Sequence, residues 1–376
     1  MRCPPDWSLG SVGTWRKGEE LARSRPTSVD VARLAGVSRT TVSFVLNGRD
    51  DMSISPATRD RVLEAATALG YQPNAPASQL ARGSSLTIGL VLRQDPGQVA
   101  SDALLPQTVQ GLGDAARDAG FQVLVESLPP IPGGYRRLLQ SRRVDGLVVS
   151  GPLADDNELR RILDDGFPIV LQGHVATLNS PSVDVDNVAG AKAAVCHLLE
   201  QGHTSIALIT NAPLKYTSAA ERLSGYQMAL AEHGVDFDPR LVAEGAFVAQ
   251  SGFEAMASLL EKRTFTAAFV ASDVLALGAM GAIRAKGLRI PADVSLVGFD
   301  DIPLAAYFDP PLTTVSIPAY ELGRTAGNLL LAQIRGEPVP QRTLLDTELK
   351  VRESVGPVAA RQEPPRRSGK LASERS

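Results

Sequence analysis

Two hydrophobic rhythms divide the chain. From Thr27 to Tyr71 apolar residues recur every three or four positions, whereas from Leu86 onward short apolar runs alternate with amphipathic stretches. The first region predicts three helices. Ser28 is placed to cap one with Val31, Leu34 and Ala35 inward, and Gly36 ends it. Ser38 caps a second with Val42, Val45 and Leu46 inward, closed by Asn47-Gly48. A third opens at Ser55-Pro56, turns Val62, Leu63, Ala66 and Leu69 inward, and stops at Gly70. Beyond it, LTIGLVL, QVLVES, GLVVSG, PIVLQG, SIALIT, AAFVAS and VSLVGF read as strands, and Gly120, Gly166, Gly202 and Gly287 each end a helix shortly before the next run. Some 270 residues of βα alternation exceed one core of roughly 100–150 residues, so two α/β lobes with mostly parallel sheets are expected.

Composition narrows the class. The 376 residues are 44% hydrophobic and 21% charged with 33 Gly and 2 Cys, which excludes a wholly disordered chain, collagen and a disulfide scaffold. No apolar run approaches the ~18–20 residues of a membrane span and no apolar h-region follows the first basic residues, so a cytoplasmic protein is expected. Cys3 and Cys196 are read as unpaired thiols, with a single bond between them as the alternative. The net charge of −3 hides a division: residues 23–83 hold eight Arg against five acidic residues, whereas 84–356 hold 22 basic against 31 acidic. A basic head on an acidic body suits DNA binding, because phosphate attracts the one and the other resists nonspecific adhesion.

VDVARLAGVSRTTVSFVLN has helix-turn-helix spacing, with Ala32 where helices cross, Gly36 in the turn, and Val42 and Val45 anchoring the second helix. The outward face of that helix is then Arg39, Thr40, Ser43 and Phe44. Arg39 can offer a fork to guanine and Thr40 can bond a base or touch a thymine methyl, while Ser38, Thr41 and Asn47 suit phosphate oxygens. A purely structural hairpin with a solvated Arg39 is the alternative.

Ligands of open α/β sheets bind beyond the carboxyl ends of strands. That rule selects Gly173 and His174 after PIVLQ, Asp186 and Asn187 after SVDV, Ser272 and Asp273 after AAFVA, Asp300 and Asp301 after VSLVGF, and Arg222 beyond SIALIT. Converging Arg and Asp can hold a polyhydroxylated ligand, the carboxylate accepting hydroxyl protons and the guanidinium donating. Phe247 could stack on a sugar face, Asp186 is equally suited to capping, and His203 reads as structural. Gly111-Leu112-Gly113 matches a loose dinucleotide fingerprint, but inside a helix, and no Walker loop, nucleophile elbow or HExxH occurs. No enzyme, cofactor or metal is expected.

VDVARLAGVSRTTVSFVLNG, SPATRDRVLEAATALGYQPN, LARGSSLTIGLV and GFDDIPLAAYFDPPLTTVSIPAYELG together resemble the lactose/galactose-repressor (LacI/GalR) family over about residues 27–352. The resemblance implies an all-α helix-turn-helix head, a hinge helix, and an α/β core of two periplasmic-binding-protein-like lobes, working as a homodimer on a near-palindromic operator. Residues 1–26 and 356–376 mix Pro, Gly and charge without a period and are expected to be disordered, and between them the head is set at 27–73, the hinge and linker at 74–84 and the body at 85–355. Within the body, the N-lobe is set at about 85–184 and 318–341 and the C-lobe at about 185–317 and 342–355. Arg39 and Thr40 fall where the family reads bases, and Leu80 where an apolar hinge residue wedges into the minor groove. Arg222 and Asp300 fall on the main effector-binding residues and Phe247 on a frequent aromatic. Three positions depart from the family pattern. Phe44 stands where Arg is usual, so the operator is expected to differ from the common half-site, and Gly173 stands where many members have Asp, so either the effector is bulkier or His174 takes over part of the work. Pro76 restricts where the hinge helix can start. The expectation is a repressor controlled by a sugar-like effector; a receptor that never touches DNA and a nicotinamide-linked enzyme are the competing readings.

Overall fold

The computed structural model describes residues 26–46, 54–71, 84–129, 134–153 and 155–358. Asn47, the hinge with Pro76 and Leu80, and residues 1–25 and 359–376 lie outside the described residues.

The head holds α1 (Ser28–Ala35), α2 (Arg39–Leu46) and α3 (Pro56–Leu69). Thr27, not Ser28, precedes the first turn of α1: the Asp30 carboxylate accepts from the Thr27 backbone N–H at 2.9 Å and from its hydroxyl at 2.7 Å, which locks the helix start one residue earlier. Gly36 closes α1 at φ 65°, a left-handed turn that glycine adopts without a Cβ penalty. The core is Val31, Ala32, Ala35, Val42, Val45, Val62, Ala65 and Ala66. Leu34 is 57% exposed and Leu63 45%, contrary to the sequence reading, because each sits about 100° around its helix from the buried stripe.

The body is built on two six-stranded sheets. In the first lobe, β1 (Thr87–Leu92), β2 (Gln122–Ser127), β3 (Gly146–Ser150), β4 (Ile169–Gln172), β5 (Ser182–Val185) and β11 (Arg342–Leu345) form an all-parallel sheet in the order β11-β5-β4-β3-β1-β2. In the second, β6 (Ile206–Ile209), β7 (Val242–Ala243), β8 (Ala267–Val270), β9 (Ser295–Asp300), β10 (Thr313–Ser316) and β12 (Glu348–Lys350) run in the order β12-β10-β9-β8-β6-β7, with β12 antiparallel. The strands are near-continuous apolar runs because helices cover both faces of each sheet. The chain passes between lobes after β5, β10 and β11. Two sequence boundaries move accordingly. Residues 342–345 pair with β5 and belong to the first lobe, and residues 356–358 join the body because the Gly356 carbonyl accepts from His203 Nε2 at 3.0 Å and the Val358 N–H donates to the Gln201 carbonyl at 3.0 Å. With Thr266 Oγ1 at 2.9 Å from its Nδ1, His203 is a structural link.

Of the two glycines in the loose fingerprint, Gly111 serves packing. Gly111 lies in α5 (Leu105–Asp118), where a Cβ would come within 2.0 Å of the Tyr320 carbonyl on α12 (Ala319–Ile334). Gly323 on α12 meets Thr108 equally closely, so these glycines let two helices cross at backbone contact.

Candidate functional site

On the head, α2 presents its first turn outward. Ser38 Oγ accepts the Thr41 N–H at 3.0 Å and shares a hydrogen bond with the Thr41 hydroxyl at 2.8 Å, so Ser38 caps the helix and fixes where Arg39 emerges. Arg39 and Thr40 are exposed, Thr41, Ser43 and Phe44 are half-buried, and Val42 and Val45 are buried beneath them. Arg39 Nε donates to Ser28 Oγ at 3.1 Å, which orients the guanidinium and leaves its outer nitrogens for a paired acceptor.

In the body, a cleft of about 220 Å³ opens between the carboxyl ends of the two sheets. The first lobe contributes Gln94, Gln172, Gly173, His174 and Asp184, and the second Asn211, Arg222, Phe247, Ser272 and Asp300. Arg222 projects from α9 (Thr217–Glu232) and is buried over the Phe299 ring, its Cζ 3.8 Å from the centroid. Its Nε donates to Asn187 Oδ1 at 2.9 Å and its Nη1 to the Ala271 carbonyl at 2.7 Å, with Asp300 Oδ1 at 3.5 Å. Ser272 Oγ donates to Asp300 Oδ2 at 2.8 Å. Phe247 meets Tyr216 edge-on at 5.1 Å. Phe247, Asp300 and Asp301 hold φ of 62°, 117° and 53°, a conformation disfavoured for side-chain-bearing residues, so backbone strain gathers at the cleft.

Several expected residues stand elsewhere. Asp273 does not line the cleft: fully buried at the start of α11 (Asp273–Ala285), it accepts from the Ile302 N–H at 2.9 Å and Thr314 Oγ1 at 2.6 Å, and its role is to hold the loop after β9. Asp186 caps α8 (Asn187–Glu200) through the Ala189 N–H at 2.8 Å. His174 reaches the cleft with Nδ1 3.3 Å from Ser182 Oγ, its pKa lowered by burial and by Arg342. Gly173 has φ 102°, and a Cβ there would crowd Pro152 at 3.2 Å, so the local turn itself calls for glycine. The polar lining residues that escaped the sequence reading include Gln94, Gln172, Asp184 and Asn211. Gln172 and Asp184 lie within strands rather than after them, while Gln94 and Asn211 sit just past runs the rule had already marked.

Burial pushes the Asp300 carboxyl up to about 6 against the pull of Arg222, and burial likewise pushes Asp184 up to about 6. The unfolded chain releases these protons near about pH 4. A raised carboxyl therefore contributes stability that is complete below that pH and is lost as pH rises through 6. The stability of Asp184→Asn relative to the native chain should accordingly increase between pH 4 and pH 6.5, by on the order of 2 kcal/mol, and then level off. Denaturant melts across that range measure the difference, and a gap independent of pH contradicts the assignment.

A helix-turn-helix head and, in the same chain, a two-lobed body with a polar interlobe cleft define a ligand-responsive DNA-binding regulator. Residues 28–74 match the model for bacterial regulatory proteins of the lacI family, and residues 195–355 match the periplasmic binding protein-like domain. Over 343 residues the chain is 39% identical to the HTH-type transcriptional regulator CelR of Thermobifida fusca, covering 88% of this chain and 99% of that protein. The solved CelR–cellobiose complex shares 37% identity at a TM-score of 0.69, covering 88% of this chain and 100% of its own. The lac repressor dimer bound to operator and the anti-inducer ONPF shares 33% identity at a TM-score of 0.77, covering 88% and 99%. The chain belongs to the LacI family of bacterial transcriptional regulators. Among the described residues no helix is long and apolar enough to cross a membrane.

Proposed function

We propose that the chain is a homodimeric, cytoplasmic repressor rather than an enzyme, binding a near-palindromic operator through its head and releasing or gripping it according to a carbohydrate held between its lobes. Arg39, Thr40, Ser43 and Phe44 face the bases, and Ser38, Thr41 and Asn47 face phosphates. Leu80 wedges the operator centre. In the cleft, Arg222, Asp300 and Ser272 hold ligand hydroxyls, with Phe247 against an apolar sugar face and His174 at the first-lobe wall. The observation that carries the effector half is the Arg222–Asp300–Ser272 cluster, a buried guanidinium and carboxylate facing one cavity with their geometry set by protein partners. The relatives supply the rest: a cellobiose complex for one and an operator complex of a dimer for another. Selection of genomic fragments by the purified chain tests the DNA half. Enrichment of a two-fold symmetric site is expected, with half-sites about one helical turn apart. Recovery of fragments without shared sequence contradicts it.

A further inference from the structure

The cleft holds carboxylates on both walls, and their oxygens differ in how far the protein already occupies them. Asp300 receives Ser272 on one oxygen and faces Arg222 with the other. Asp102 accepts the backbone N–H groups of Leu104 at 3.0 Å and Leu105 at 3.1 Å as well as the Gln94 amide. Asp184 differs. Its bonds to the described residues, from the Val185 N–H at 2.8 Å and Asn187 Nδ2 at 3.4 Å, all fall on Oδ1. Oδ2 receives none, although the residue is half-buried and lines the cleft. The same wall carries two more acceptors without partners, the buried Oε1 atoms of Gln94 and Gln172. Gly173 brings no side chain there. A wall with these unfilled oxygens suits a ligand that donates from several hydroxyls, since a buried acceptor such as Oε1 of Gln94 or Gln172 costs free energy when it receives no donor.

We propose that Asp184 is an effector-binding residue, its Oδ2 accepting a hydroxyl proton from one edge of a polyol whose other edge is held by Asp300 and Arg222. One ligand then ties the two lobes together, because Asp184 stands on β5 of the first sheet and Asp300 on β9 of the second. The other oxygen of the same carboxylate, Oδ1, leads into a polar chain that crosses between the lobes. Asn187 links Asp184 to Arg222, and its Nδ2 donates to Glu221 Oε2 at 3.1 Å, while Glu221 Oε1 receives Arg342 of β11 at 3.2 Å. Ligand contact at Asp184 is thereby felt where the chain passes from lobe to lobe. This inference rests on the polyol reading of the cleft.

The test is calorimetric titration of the full chain at pH 7.5 with cellobiose, lactose, maltose, glucose and ribose, followed by the monodeoxy analogues of whichever binds most tightly. Asp184→Ala should weaken that sugar about 10- to 100-fold. One deoxy analogue should bind the native chain weakly by a similar factor and lose nothing further in the variant, which identifies the hydroxyl that Asp184 accepts. Asp184→Asn, nearly isosteric, provides the same comparison if the alanine variant does not fold. Native affinity in both variants, or an equal further loss for every analogue, overturns the assignment and leaves the sugar reading intact. Binding of no sugar in the set removes the sugar reading, and this inference with it.

Discussion

Replacing Arg222 by alanine is expected to abolish the effector response while leaving operator binding in place. The guanidinium is buried, bonded to Asn187 and the Ala271 carbonyl, and faces Asp300, so its removal strands a buried carboxylate and costs about 3–5 kcal/mol of body stability. Loss of sugar affinity should exceed about 100-fold, because a site built to hydrogen-bond a hydroxyl is left with unmatched polar groups. The two effects separate in the double variant Arg222→Met/Asp300→Asn. Without the stranded charge, stability returns towards the native value, whereas sugar binding does not. Thermal melts and titration calorimetry on the two proteins read both quantities, and a double variant that regains sugar binding contradicts the role given to Arg222.

Arg39→Ala acts on the other half of the molecule. A two-pronged guanidinium contact to guanine is worth about 1–3 kcal/mol of discrimination, so the preference for operator over random duplex should fall about 10- to 100-fold per head. Sugar affinity should be unchanged. Arg39→Lys keeps the charge without the fork and should therefore retain salt-sensitive, nonspecific binding while losing the preference. Competition binding against random duplex at fixed ionic strength measures it. An Arg39→Ala protein with native preference would place base reading elsewhere on α2.

The sequence pattern exposed the architecture well where the local signal and the packed structure agree. Gly36, Ser55, Pro56 and Gly70 stop and start helices as their backbone chemistry requires, and the apolar runs became strands of two largely parallel sheets. It misled where neighbouring residues compete for one role. Asp30 draws the start of α1 to Thr27, and Leu34 and Leu63 are apolar residues that the helical period turns outward. In the cleft, Arg222, Asp300, Ser272 and His174 come together from separate segments, as the rule about strand ends implies, and Phe247, chosen as an aromatic able to stack on a sugar, joins them. Asp273 fails the same rule by one residue: it starts a helix and turns into the sheet, where Gly298 leaves space for its carboxylate. Asp184 was invisible because it reads as an interior strand position. Only the shortness of β5 brings it to the cleft edge.

The division of labour between head and cleft is tested most directly by adding effector to the assembled protein–operator complex. With the selected operator labelled and the tightest-binding sugar titrated in, fluorescence anisotropy should change along the same saturation curve that calorimetry gives for the cleft, in the native chain but not in Arg222→Ala. A complex whose anisotropy stays constant while the cleft fills would show that the two sites are not coupled.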